Sequence, residues 1–174
     1  MLRRTTLGVL IVIPEPHATV LSGWRRRVGD SWADAIPPHV TLLPPTSVDY
    51  NEMDKVELHL AEAARASGPF PMHLLGTGTF RPLSPVVFIQ VARGLADCEV
   101  LERSVRSGPL TRELDFPYHP HVTVAQELPD AALDAAYDGL ADFVARFQVQ
   151  AFTLFERSGD RGWRHRRDYP LTMP

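Results

Sequence analysis

Cysteine and lysine are almost missing: Cys98 and Lys55 are the only residues of their kind. A single cysteine cannot close an internal disulfide, and no Cys-x-x-Cys pair or Cys/His grid is there to hold a structural zinc ion. A reducing cytoplasm is the expected compartment. Long apolar runs are also lacking. The longest, within residues 5–13, covers about nine residues and stops at Pro14-Glu15-Pro16, against the ~18 needed for a membrane helix. No small-residue cleavage site follows it, so it reads as a first strand rather than a leader, and no membrane partner is expected. Nor is there an excess of positive charge. With 18 Lys and Arg against 21 Asp and Glu, the net charge is −3. That argues against a DNA-binding surface, because neutralising a run of phosphates takes a basic balance. Gly-x-Ser-x-Gly is absent, and Gly76-Thr77-Gly78 lacks both the length and the lysine of a phosphate-cradling loop. Glu15, Asp49 and Asp115 stand in turn or cap contexts, not as a paired-carboxylate site.

What the chain does contain is ample apolar content, 44% against 22% charged, for one globular domain of 174 residues. Its pattern predicts a strand over 5–13, then a helix from Pro16 or His17 carrying Val20, Leu21, Trp24, Val28 and Trp32 at helical spacing. Pro37 and Pro38 force extended geometry and deliver a strand over 39–43 that Pro44-Pro45 closes. Asp49 and Glu52 open a second helix with Met53, Val56, Leu60 and Ala64 as its apolar stripe. Strands over 70–80 and 86–91, a helix over about 96–106 and a strand over 121–126 come next. Pro129-Asp130 opens a helix with Leu133, Tyr137, Leu140 and Val144, and strands over 147–157 and 163–171 finish the chain around a Ser158-Gly159-Asp160 turn. The order strand, helix, strand, helix, strand thus occurs in each half. It predicts two pseudo-symmetric lobes, roughly residues 1–80 and 85–174, within the single domain 1–174.

The tripeptide His-Val-Thr is written twice, as His39-Val40-Thr41 and His121-Val122-Thr123, each time directly after a proline. Composition alone predicts about 0.04 copies. Side chains alternate along a strand, so each His shares a face with its Thr while Val40 and Val122 point inward. Two lobes related by an approximate two-fold axis would bring both motifs to one cleft. Imidazole titrates near neutrality, so one ring can take a proton while the other gives one. Threonine hydroxyls can donate to non-bridging phosphoryl oxygens, where transition-state charge concentrates. Opening a cyclic phosphodiester needs that set: one His activates water and the other protonates the departing ribose oxygen.

Pro38-His39-Val40-Thr41-Leu42 and Pro120-His121-Val122-Thr123-Val124 resemble the paired HxTx signatures of the 2H phosphoesterase superfamily, in particular its bacterial 2′-5′ RNA ligase-like (LigT-like) members. The element order is similar over essentially the whole chain. The resemblance implies an α+β, bilobal, duplicated fold in which two antiparallel sheets flank a central cleft with helices outside. It implies hydrolysis, without metal or cofactor, of 2′,3′-cyclic phosphates or 2′-5′ linkages at RNA 3′ ends or in small nucleotides. By the family pattern His39 and His121 are the catalytic histidines, Thr41 and Thr123 bind the phosphoryl group, and a monomer is expected. Many ligase-like members carry a basic residue just past a motif Thr, where this chain has Leu43 and Gln126; a small cyclic nucleotide fits that departure as well as RNA does. Two rival readings are a nucleotide- or RNA-binding module without turnover, and a phosphodiesterase for another small cyclic phosphate such as ADP-ribose 1″,2″-cyclic phosphate.

Other residues are candidates for holding substrate. Phe80, Tyr118, Trp163 and Tyr169 could stack on a base, although core or strand filling is the commoner role of such residues. Arg81 and Arg157, at predicted strand ends, could hold phosphate, and Arg157, Arg161, Arg164, Arg166 and Arg167 crowd towards the C-terminal end. A charge run of that kind is more often a solvated face. A third His-x-Thr, His17-Ala18-Thr19, falls in a first helical turn, where positions two apart do not face together, so a surface or capping role is expected. His119, with His39 and His121, would reach the three imidazoles of a catalytic zinc, but no fourth ligand is spaced to complete the site and no metal is expected.

Overall fold

A computed structural model of the chain describes residues 3–159 and 162–174. Asp160 of the expected final turn and Arg161 of the arginine-rich stretch lie outside the described residues. The elements follow in the order β1 (Arg4–Val12), α1 (His17–Val28), β2 (His39–Asp49), α2 (Met53–Arg65), β3 (Phe70–Thr79), β4 (Val86–Arg93), α3 (Leu95–Val105), β5 (His121–Gln126), α4 (Asp130–Gly139), β6 (Val144–Val149), β7 (Ala151–Ser158) and β8 (Gly162–Pro170). The fold is α+β, with antiparallel strand pairs throughout and four helices packed on them.

The strands form one sheet in the order β6-β3-β4-β5-β2-β1-β7-β8, not the two separate sheets expected. Two four-stranded halves meet where β2 pairs with β5 through one residue pair, Val40 with Val122. Both valines are fully buried, and their burial holds the motif strands close enough to exchange backbone hydrogen bonds there. Nor do the halves follow the division expected near residue 80. The β3–β4 hairpin keeps β3 with β4, β5 and β6, while β7 returns to pair with β1. The helices cross over as well: α1 packs on β5 and α4, and α3 packs on β2.

Three boundaries differ from the periodicity reading. α1 stops at Val28 because Gly29 adopts φ +90° and its N–H turns back to the Arg25 and Arg26 carbonyls, leaving Trp32 beyond the helix. β2 does not close at Pro44-Pro45. The register against β1 jumps from Val9–Leu43 to Leu7–Thr46, so both prolines sit in an irregularity where no ladder N–H is required. The expected strand over 147–157 is two strands broken at Gln150, β6 on β3 and β7 on β1, and Val144 begins β6 instead of ending α4.

The core gathers Leu7, Val9 and Ile11 of β1 with Leu42, Val124 and Phe152, all at 2% exposure or less. Burying each such aliphatic side chain contributes about 1.5–3 kcal/mol. Residues 39–44 and 121–126 show the same succession of half-buried, buried, half-buried, buried, buried, half-buried positions. The two motif strands are therefore equivalent in environment as well as in sequence. Among the described residues no helix is long and apolar enough to cross a membrane.

Candidate active site

Each motif histidine is fixed in the same way. The Nδ1–H of His39 donates to the Pro37 carbonyl at 2.8 Å, and the Nδ1–H of His121 donates to the His119 carbonyl at 2.6 Å. A carbonyl can only accept, so each neutral ring carries its proton on Nδ1 and keeps a lone pair on Nε2. The residue between ring and carbonyl is proline in both strands, Pro38 and Pro120, and its locked φ holds the approach to the motif extended.

The antiparallel pairing of Val40 with Val122 places His39 across from Thr123 and Thr41 across from His121. Strand alternation puts all four on the face opposite the buried valines, and all four are half-buried. Burial, the largest influence, lowers the pKa of His39 to about 4 against the pull of its hydrogen bond to Pro37, with the Arg25 guanidinium and the neighbouring His121 pushing the same way. Burial also lowers that of His121, its bond to His119 opposing and the His119 ring reinforcing the shift. The two imidazoles are thus close enough to disfavour being charged together.

His39 and Thr41 line a cavity of about 230 Å³ that also takes in Gln126, Arg157 and Trp163. A wider trough of about 1260 Å³ shares Ile36 and Trp163 with it but carries neither motif histidine. On the other strand His121 is enclosed by aromatic rings: Phe80 edge-on at 5.0 Å, Phe88 at 5.2 Å and His119 at 5.5 Å between centroids. Gly78 makes room for this cage, since a Cβ there would lie 2.7 Å from the Phe88 ring. That gives the Gly76-Thr77-Gly78 segment a packing role.

The segment leading to His39 is tied down from within. Arg25, at 4% exposure, pairs with the equally buried Asp30 at 3.0 Å. Its remaining guanidinium nitrogens donate to the Ile36 and Trp32 carbonyls at 2.8 and 2.9 Å. One buried side chain therefore fixes the loop whose Pro37 carbonyl orients His39. The sequence reading did not find Arg25 or Phe88. The only hint of Arg25 was a basic residue in the last turn of α1 just before an αL glycine and an aspartate.

The remaining candidates divide. Phe80 stands against His121, and Arg157 lines the His39 cavity with its guanidinium 4.9 Å above the Trp163 ring. Tyr118 is a strut: its hydroxyl donates to the Thr41 carbonyl at 2.7 Å, and burial raises its pKa so that it stays protonated. Arg81 is already engaged, at 2.8 Å from Asp134 and 3.6 Å from Asp130. Tyr169 is buried and stacked on Phe152 at 5.4 Å, on the opposite face of β8 from Asp168, and does not join the site. His17 opens α1, and the Thr19 hydroxyl and N–H both donate to the Glu15 carboxylate, at 2.6 and 3.3 Å, a local contact away from the motif strands. Among the described residues no three His, Cys, Asp or Glu side chains are placed to share a metal ion.

A model of the 2′-5′ RNA ligase superfamily matches residues 13–161. A Bacillus cytotoxicus protein provisionally named a phosphoesterase is 28% identical over 155 residues, 89% of this chain and 84% of that protein. Escherichia coli LigT complexed with NADP+ superposes with a TM-score of 0.75 at 23% identity, covering 98% of this chain and 100% of that one. LigT complexed with 3′-AMP superposes at 0.72 and 20% identity, with the same coverage. The structural likeness carries the fold, and the family match extends over most of the chain, both His-Val-Thr motifs included. This chain belongs to the 2′-5′ RNA ligase superfamily and is a phosphoesterase of the 2H type.

Proposed function

We propose that the enzyme hydrolyses a 2′,3′-cyclic phosphate, or a 2′-5′ phosphodiester, of an RNA end or small nucleotide, without metal ion or cofactor. The observation that carries this reading is the matched anchoring of His39 and His121, which leaves both Nε2 atoms without a protein hydrogen-bond partner among the described residues. The stronger depression of His39 makes it the base, and His121 the acid. A water oxygen bonds to phosphorus while its proton passes to His39 Nε2; the bond from phosphorus to the ribose oxygen breaks, and that oxygen takes the proton of His121 Nε2. Thr41 and Thr123 donate to the non-bridging oxygens, and removing one such donor costs about 10²–10³ in rate. Acid, base and oxygen binders are then all side chains of this chain.

The nucleotides held in the two LigT complexes support a nucleotide substrate. The two four-stranded halves are read as lobes of one catalytic domain, acting as a monomer. A buried Cys98, whose thiol burial pushes up to about 12, is inert and suits a cytoplasmic enzyme. The experiment is incubation with nucleoside 2′,3′-cyclic monophosphates in EDTA, following release of 2′- or 3′-monophosphate. Turnover that disappears in His39→Ala and in His121→Ala supports the reading; turnover that persists in either variant, or that needs added metal, overturns it.

A further inference from the structure

Beside the His39 cavity lies a second one of different character. It measures about 440 Å³, and among the described residues its lining has four arginines, Arg3, Arg4, Arg157 and Arg164, against one carboxylate, Glu156. Arg157 belongs to both cavities. Glu156 is fully committed, accepting from the Thr5 hydroxyl at 2.6 Å and from Arg164 and Arg166 at 2.8 and 3.0 Å. Arg4 is paired with Asp49 at 2.9 Å. Arg3 and Arg157 are different. Each holds its guanidinium carbon over an aromatic ring, Tyr50 at 4.8 Å and Trp163 at 4.9 Å from the centroid, and neither has a carboxylate partner among the described residues. A cation–π contact uses no N–H hydrogen bond, so it leaves guanidinium donors that can take phosphate bidentately.

We infer that this cavity is a subsite for a second phosphate of the substrate, contributed by the nucleotide next to the reacting one, so that the preferred substrate is an oligonucleotide end and not a lone nucleoside cyclic phosphate. The inference rests on the proposed function. Arg157 connects the two cavities, so one ligand can occupy both. Arg3 and Arg157 also supply the basic partners that Leu43 and Gln126 do not.

The test is equilibrium binding by calorimetry, so it does not depend on turnover. The ligands are cytidine 3′-monophosphate and the cytidine trinucleotide ending in a 3′-phosphate. The wild-type protein is expected to bind the trinucleotide at least about 10-fold more tightly, with the ratio falling as salt rises. The ratio should collapse towards one in Arg3→Glu/Arg164→Glu and fall only partway in Arg3→Lys/Arg164→Lys, which keeps the charge but not the guanidinium fork. If the charge-reversal pair melts early, Arg3→Ala, which disturbs no ion pair, is expected to lower the ratio severalfold. Equal affinities for the two ligands in the wild type, or a ratio indifferent to these substitutions, would overturn the subsite. Failure to turn over any cyclic phosphate would instead count against the catalytic reading, leaving the binding ratio to decide the subsite by itself.

Discussion

Val40 and Val122 face each other across the middle of the sheet, and this pair is where the two four-stranded halves hydrogen-bond. Its burial sets the strand face on which His39, Thr41, His121 and Thr123 stand. Val122→Ala removes two methyl groups from a fully buried site, at about 2 kcal/mol, or about 4–8 °C in Tm for a chain of this size. Because the bridge also positions the motifs, kcat is expected to fall with KM little changed. A melt lowered as stated but with kcat intact would show that the bridge stabilises without positioning.

The histidine shifts set a pH profile. His39 is in its basic form above about 4, and His121 is in its acidic form only below a pKa itself lowered from 6.5. The kcat/KM of the free enzyme should therefore trace a bell with its acid limb near 4, its alkaline limb below 6.5 and a mildly acidic optimum. The same shift acts on stability: the unfolded chain takes up its proton first, so stability falls as pH drops from 6.5 towards 4. An optimum at or above neutrality would contradict the assignment.

Arg25 joins loop position to electrostatics. Arg25→Met leaves Asp30 buried without its partner and should cost about 3–5 kcal/mol. The pair Arg25→Met/Asp30→Leu should recover much of that stability. The acid limb of its pH profile should nonetheless move up, because the positive charge that disfavours a protonated His39 has gone. A profile identical to wild type in the stable double variant would leave Arg25 a purely structural residue.

Tyr118 reaches Thr41 through the backbone. Tyr118→Phe leaves the Thr41 carbonyl without its 2.7 Å donor, at about 1 kcal/mol. Thermal melting should register that loss, and steady-state kinetics should show a severalfold lower kcat at similar KM. A rise in KM alone would instead mark Tyr118 as a direct substrate contact.

The motif quartet was legible because strand alternation is local: once His39 and His121 start strands, the faces of Thr41 and Thr123 follow. Periodicity likewise marked most helices and strands, while the α+β class came with the resemblance carried by the two motifs. What needed the folded chain was everything set by long-range pairing. Pro44-Pro45 reads as a strand end, yet β1 accommodates the prolines in an irregular register. Tyr118 reads as a stacking residue until the Thr41 carbonyl, 77 positions away, is seen beside it. Arg81 reads as a phosphate ligand until α4 brings Asp130 and Asp134 against it. Arg25 carries no motif at all, since its carbonyl partners come from loop geometry that no periodicity encodes.

Comparing kcat for a nucleoside 2′,3′-cyclic monophosphate in His39→Ala, His121→Ala and the double variant tests whether two imidazoles serve one phosphorus. Groups acting as a unit are strongly non-additive, so the double variant should be about as slow as either single one. Losses that multiply, or a single variant that keeps wild-type kcat, would mean that the two histidines do not work on the same bond.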